Sequence, residues 1–520
     1  MGFCKVRYSK DTPHMKKPFH PFLFSSYFVL ALLASNVDQV YLSVGLRSLV
    51  VALLVTGLLW LLMHLWLRNG QKAAILTSML LIFFFTYGHI YNALEQAGIS
   101  LGRHRVLMPL WVVLAGLGTW LIVTRLRRFT RPTQILNITI LVLLLIPAWQ
   151  IVSYKIRQLK SEEQSATATS LEGLHLNKDQ PTPDVYFIIM DEYTRQDVLD
   201  KIYDFDNAPF LDGLRELGFT VIDCSQSNYA QTELAFASIL NIDYLDELGP
   251  FPAGSTDLSV IRSLIKDSDV VTAFRELGYS IVTFETGYYF SEFKDADVYY
   301  TTSGGQGLVS GMNAFEVLLL RTTAGLFLLD MATVLPDLLV PNTTQPLEDK
   351  RTQVLYDLEV LSRLPHEVTS PKFVFMHILL PHEPFIFNAE GEAVDYPENL
   401  EQSAYAEAYR EQVMFLNSRM LSLLSTVIET SDTPPIIILQ GDTGPGRVSK
   451  EGRMAILNAL YLPGDDSPSL PPYLSPVNNF RLIFDRYFNT QLSLLPDTSY
   501  FSLYDAPFEF DLVPNACVGE

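Results

Sequence analysis

Five apolar stretches fill most of the first 155 residues, and they restrict this chain more than any other feature: Pro21–Ser35, Leu46–Leu67, Ala73–Leu94, Val106–Leu126 and Ile135–Tyr154. A helix needs about 20 mostly apolar residues to cross a bilayer. Four runs reach that length and the first falls a little short. Backbone polar groups inside hydrocarbon must bond within their own segment, so each run is expected to be a helix. Basic residues set the orientation. Lys5, Arg7, Lys10, Lys16 and Lys17 precede the first run, Arg68 and Lys72 follow the second, and Arg125, Arg127, Arg128 and Arg131 follow the fourth. The alternate loops hold only Arg47, Arg103 and Arg105. The expected arrangement is a multi-pass protein of the cell membrane with a cytoplasmic N-terminus, five spans and everything after them outside. Lys155, Arg157 and Lys160 oppose this mildly, but large domains translocate despite such charges. Within the third run, His89 stands between Tyr87 and Tyr91. It is either a functional intramembrane group or a neutral imidazole near the interface.

Charge divides the chain at the same place. Residues 1–160 carry 17 Lys and Arg against three acids, whereas the other 360 carry 20 against 54. The expected domains are 1–155 in the bilayer, a polar linker over 156–182, and a folded outer domain over 183–520, long enough to bury a large core. So acidic a domain is unsuited to nucleic acid, where binding depends on neutralising phosphates. It suits divalent cations and a position off an anionic lipid surface. Three cysteines, Cys4, Cys224 and Cys517, make no disulfide framework; an oxidising compartment would permit a Cys224–Cys517 bridge, but no spacing demands it.

Inside the outer domain, PDVYFIIMDEYTR (Pro183–Arg195) reads as a buried strand ending at Asp191, and strand alternation would turn Glu192 the opposite way. PKFVFMHILLPHEPF (Pro371–Phe385) is a second strand, with His377 at its end and His382 just beyond. PPIIILQGDTGPG (Pro434–Gly446) is a third, stopping at Asp442 and Thr443 on a glycine-relieved turn. Helical periodicity over Asp206–Phe219 and Ala404–Ser431, and a helix running into a strand over Thr272–Gly287, separate them. Strands alternating with long helices predict an α/β domain, a predominantly parallel sheet with helices on both faces. Thr232, in SQSNYAQTELAFASILN, falls at a helix N-terminus, where free N–H groups favour negative charge. The plain alternative is an N-cap threonine with Glu233 in the first turn. No GxGxxG or GxxxxGK[ST] loop occurs.

Taken in order, FIIMDEYTR, SNYAQTELAFASILN, HILLPHEPF and IILQGDTGPG resemble the alkaline phosphatase/sulfatase superfamily. With the apolar helices ahead of them, they are similar to its membrane-anchored branch of lipoteichoic acid synthase-like and phosphoethanolamine transferase-like proteins. The resemblance implies a sulfatase-like outer domain acting as a phospho-group transferase or hydrolase on lipid-linked or glycan substrates of the cell envelope. It implies Asp191, Asp442 and Thr232 as ligands of a divalent metal ion (Mn²⁺, Zn²⁺, Mg²⁺ or Ca²⁺), with Thr232 also the nucleophile. His377 and His382 would contact the transferred group or the leaving oxygen. Metal coordination lowers the pKa of a hydroxyl that is otherwise a poor nucleophile. Cys224 lies off the nucleophile position, which favours phosphoryl over sulfate chemistry.

One residue departs from the family pattern. Relatives usually read Asp-His where this chain has Asp442-Thr443. A neutral hydroxyl is a weaker zinc ligand than imidazole. Three readings stay open: a harder cation with water in the gap, His377 or His382 as the replacement nitrogen, or a weakened, inactive domain that binds envelope glycan or lipid or scaffolds an assembly partner.

Overall fold

The computed structural model describes residues 17–37, 40, 42–97, 104–165, 182–249, 251, 254–302, 313–330, 345–397, 400–464 and 470–519. The basic tail before residue 17, Cys4, His175 and linker residues 166–181 lie outside this set. The chain forms two compact units, Met1–Ile156 with Gln306–Pro346, and Arg157–Gly305 with Leu347–Glu520.

The first unit is built on α1 (His20–Ser35), α2 (Val44–Leu67), α3 (Gly70–Gln96), α4 (His104–Thr124) and α5 (Thr130–Ser165). Among the described residues, four helices are long and apolar enough to cross a membrane: α2, α3, α4 and the Thr130–Ile156 part of α5. With 16 residues, α1 spans about 24 Å at 1.5 Å per residue, short of a hydrocarbon core of about 30 Å. Apolar side chains such as Leu54, Leu58, Val113 and Trp149 are exposed, as expected where the solvent is lipid. α3 is the most enclosed of the four long helices. His89 points away from the packed interior. His104 takes the place between the tyrosines, 2.7 Å from the Tyr87 hydroxyl and stacked on Tyr91 at 4.2 Å. The expected linker begins as helix, since α5 continues to Ser165.

The sequence assigns all of 183–520 to the outer domain, but Gln306–Pro346 groups with the apolar helices instead. The cause is the helix Ala314–Arg321, which packs Phe315 against Val29 and Leu33 and pairs Glu316 with Arg47.

The second unit holds a seven-stranded sheet in the order β2-β7-β6-β1-β5-β3-β4. Its strands are β1 (Val185–Met190), β2 (Thr220–Val221), β3 (Ser280–Phe284), β4 (Val298–Tyr300), β5 (Lys372–Ile378), β6 (Ile436–Gly441) and β7 (Asn458–Tyr461). The five strands from β6 to β4 are parallel, while β7 runs antiparallel to β6 and β2 antiparallel to β7. Side chains of β1 alternate between two cores. Tyr186, Ile188 and Met190 face the layer holding the helix Gln402–Thr430; Val185, Phe187 and Ile189 face the helices Thr232–Leu240 and Val477–Phe488. Burial on both faces explains why the parallel strands read as unbroken apolar runs.

A hairpin of β8 (Tyr500–Leu503) and β9 (Ala506–Leu512) follows. Beyond it, Cys517 is disulfide-bonded to Cys224, with a Cα–Cα distance of 5.5 Å, across 293 residues. The pairing left open by spacing is thus made by the fold. Closing so long a loop restricts the unfolded chain, typically worth about 2–4 kcal/mol. Detergent-solubilised protein, denatured without reductant, is expected to titrate one thiol, and three after reduction. Cys517→Ser should lower unfolding stability by about that 2–4 kcal/mol in a urea titration.

Candidate active site

The register of the central strands decides where the site forms. Met190, the last residue of β1, pairs with Ile378 of β5 on one side and Gly441 of β6 on the other. All three strands therefore stop at one level, and the next residues of β1 and β6 are Asp191 and Asp442. Gly441 is required there, because a Cβ would lie 2.2 Å from the Tyr193 carbonyl oxygen. The Asp191 N–H donates to the Ile378 carbonyl at 2.9 Å, and the Glu192 N–H donates to Asp442 Oδ1 at 2.9 Å. One carboxylate is thereby oriented by the turn that carries the other.

His377 faces the same layer as the helix Thr232–Leu240, with Nε2 3.7 Å from Asp191 Oδ2. Phe236 of that helix lies edge-on against its ring at a centroid distance of 4.9 Å. Burial pushes the ring down to about 4, only partly countered by Asp442, so His377 is neutral at pH 7. Burial, and then Asp442, raise the Asp191 pKa: two enclosed carboxylates resist ionising together. His382 is half-exposed; its N–H donates to the Asp191 carbonyl at 3.1 Å, and Nε2 lies 3.8 Å from Glu192 Oε1. Burial opposes a charge on this ring, but Asp191 and Glu192 outweigh it and the net shift is upward.

Glu192 corrects the expectation from strand alternation. β1 ends at Met190, and Glu192 sits in a turn at φ +61°, so alternation no longer governs it. Its buried carboxylate accepts from Arg453 and faces His382. Arg453 is spent on protein partners. Besides Glu192 it donates to the carbonyls of Gly444 and Ala230, the latter at 3.0 Å, and to the Tyr504 hydroxyl at 3.3 Å. Lys350, from the helix Gln345–Glu367, completes the charged surroundings. Burial lowers its ammonium to about 8 against the pull of Asp191, Glu192 and Glu383. Nothing in its polar sequence neighbourhood marks it.

Thr232 is the first residue of its helix; the cap position falls on Gln231, whose side chain makes no cap bond. The N-cap reading of Thr232 is therefore not met. Among the described residues its half-buried hydroxyl has no hydrogen-bond partner. It is positioned from both sides. Ala230 is held by Arg453, Gln231 donates to Ser502 Oγ at 3.0 Å and the Leu503 carbonyl at 3.1 Å, and Phe236 rests on His377.

Asp191 Oδ1, Asp442 Oδ2, Thr443 Oγ1 and both His377 ring nitrogens are buried without a hydrogen-bond partner. Unmet buried polar atoms are costly and rare. Concentrated at the shared end of β1, β5 and β6, these suit a divalent cation by donor chemistry: two carboxylates, a neutral imidazole and a hydroxyl. Among the described residues, however, no three His, Cys, Asp or Glu side chains are grouped as they would be around an ion. Thr443, where the resemblance expects histidine, is itself fully buried.

No family model matches the chain, and no curated protein matches it. Solved structures do. The zinc complex of the C-terminal periplasmic domain of EptC from Escherichia coli is 11% identical, with 66% of this chain and 97% of that one covered and a TM-score of 0.42. The soluble domain of lipooligosaccharide phosphoethanolamine transferase A from Neisseria meningitidis is 10% identical, covering 62% and 95%, TM-score 0.39. A sulfatase from a Bacteroides thetaiotaomicron glycosaminoglycan locus is 12% identical, covering 64% and 84%, TM-score 0.38. The structural neighbours are phosphoethanolamine transferases and sulfatases.

The Arg453–Glu192 pair is buried and has a measurable consequence. Removing one partner of such a pair leaves an uncompensated charge, typically costing about 3–5 kcal/mol. Arg453→Met should lower unfolding stability by that amount. Adding Glu192→Gln should recover part of the loss, so a double-mutant cycle in urea gives a sum larger than the double variant.

Proposed function

We propose that this chain is a membrane-anchored phospho-group transferase or hydrolase whose nucleophile is Thr232 and whose outer unit faces away from the cytoplasm. The observation carrying this reading is the set of unpartnered buried atoms on Asp191, His377 and Asp442 at one end of three aligned strands. The disulfide supports the extracytoplasmic side, since such bonds persist where the surroundings are oxidising.

Asp191 and Asp442 would hold a divalent cation, with His377 as the nitrogen donor nearest to Asp191. When bound, that cation supplies charge neutralisation at phosphorus and a lowered hydroxyl pKa. The Thr232 oxygen, without a hydrogen-bond partner among the described residues, attacks the phosphorus of a phosphate ester. A Thr–O–P bond forms as the hydroxyl gives up its proton to water, the bond to the leaving alcohol breaks, and the leaving oxygen takes one proton back from water, so the step is balanced. Transfer to water or an acceptor alcohol then regenerates Thr232. His377 and His382 offer ring nitrogens to the transferred group or leaving oxygen, while Arg453 holds the Glu192 turn and the Ala230 segment in register. Lipid-linked or envelope-glycan phosphate esters are the substrates this reading assigns.

A second reading has its own observation. Thr443 presents a hydroxyl where a histidine would complete a conventional site, and among the described residues no three acids or imidazoles are grouped as around an ion. On this reading the outer unit binds an envelope glycan or lipid headgroup without turning it over.

Purified full-length protein separates the two. The enzyme reading expects bound metal by elemental analysis, hydrolysis of a generic phosphate ester, a loss of at least about a thousandfold in kcat in Thr232→Ala, and metal affinity about 10–100-fold or more weaker in Asp442→Asn. Metal-free protein without turnover would overturn it. Gain of both in Thr443→His would place the defect at that residue.

A further inference from the structure

The first unit contains a cavity of about 680 Å³ that the chemistry of the outer unit does not use. It is a groove between α2, α3 and the helix Ala314–Arg321, lined largely by aliphatic and aromatic side chains, with Arg47 and Glu316 among the few polar ones. On α2 the lining runs Arg47, Val51, Val55, Leu59, a single stripe at i, i+4 spacing. Leu81 and Phe84 from α3 and Leu320 from the third helix close the other sides. The third wall is firmly attached. The Ala324 N–H donates to the Phe84 carbonyl at 2.8 Å, Glu316 pairs with Arg47, and the Arg321–Thr322 backbone lies against Gly88, where a Cβ would come within 2.4 Å.

We infer that this groove holds one acyl chain of a membrane phospholipid, with the polar headgroup at the end closed by the Arg47–Glu316 pair. Three observations select that occupant. First, the walls belong to helices apolar and long enough to cross a bilayer, or to a segment docked on them, so the surrounding solvent is hydrocarbon. An apolar void there loses dispersion contacts and gives water too few partners, and Val51 and Val55 are about half exposed, leaving the groove open to lipid. Second, its dimensions match. The twelve steps from Arg47 to Leu59 rise about 18 Å, close to the depth of one leaflet in a hydrocarbon core of about 30 Å, and the volume lies within the range of about 300–1,000 Å³ usual for ligand sites. Third, the charged lining stands at one end only: Arg47, in the first turn of α2, and the Glu316 paired with it make that end polar, which suits a lipid headgroup, while the aliphatic stripe suits the chain.

The test uses full-length protein in nanodiscs with phospholipid carrying a photoactivatable acyl chain, read by peptide mass spectrometry. Labelling is expected at Val55, Leu59, Leu81 and Leu320, well above that on the lipid-facing surface of α4 at Val113. Ala52→Trp, which fills the groove, should cut groove labelling about tenfold or more, equivalent to at least about 1.4 kcal/mol, and leave α4 labelling unchanged. A diacylglycerol probe with the same chain but no phosphate should label the groove of the wild type more weakly. Groove labelling no greater than that at Val113, or unaffected by Ala52→Trp in protein that keeps its thermal midpoint, would overturn the inference. Equal labelling by both probes would overturn the placement of the headgroup at the Arg47–Glu316 end. Turnover plays no part in the readout, so failure of the catalytic proposal leaves this result independent.

Discussion

The alignment of β6, β1 and β5 governs the outer unit. Parallel pairing of Met190 with both Ile378 and Gly441 ends three strands at one level, so the residues following β1 and β6 emerge side by side. Two buried aspartates thus follow adjacent strand ends, and the neutral ring of His377 lies 3.7 Å from one of them, Asp191. The arrangement is unfavourable by itself: Asp191 resists ionisation beside Asp442, and several of the donors lack partners. A core that leaves such groups unmatched usually does so for function.

The surrounding cations reduce that cost without removing it. Arg453 neutralises Glu192 and joins the β1 turn to the β6 turn through Gly444, and to the Thr232 segment through Ala230. Its donors are consumed in holding three segments together. Lys350 is different, a cation enclosed near acids with no hydrogen bond of its own among the described residues. The site therefore combines a fixed structural cation with an uncommitted one.

How far the sequence foretold this varies with the physics of each feature. β1, β5 and β6 were legible because burial on both faces leaves unbroken apolar runs that end abruptly at Asp191, His377 and Asp442. β2, with two residues, and β4, with three, are too short to carry a pattern. Glu192 was misplaced because alternation was carried past the end of the strand into a turn with positive φ. Lys350 and the Cys224–Cys517 pair depend on contacts between distant parts of the chain, which no local pattern encodes. The grouping of Gln306–Pro346 with the apolar helices has no local sequence signal, because the short helix Ala314–Arg321 is held by distant partners: Phe315 on Val29 and Leu33, Glu316 on Arg47, and backbone packed against Gly88.

The hairpin β8–β9 has a bearing on biosynthesis. Gln231, beside the proposed nucleophile, is gripped by Ser502 and Leu503, 271 and 272 positions later, and Tyr229 stacks on Tyr500. While the ribosome is still making the intervening chain, the stretch around Thr232 has only nearer partners, such as Arg262 on Glu233 and Tyr244 beside Tyr229. The start of the helix Thr232–Leu240 therefore gains its last contacts only after nearly all of the second unit has been synthesised.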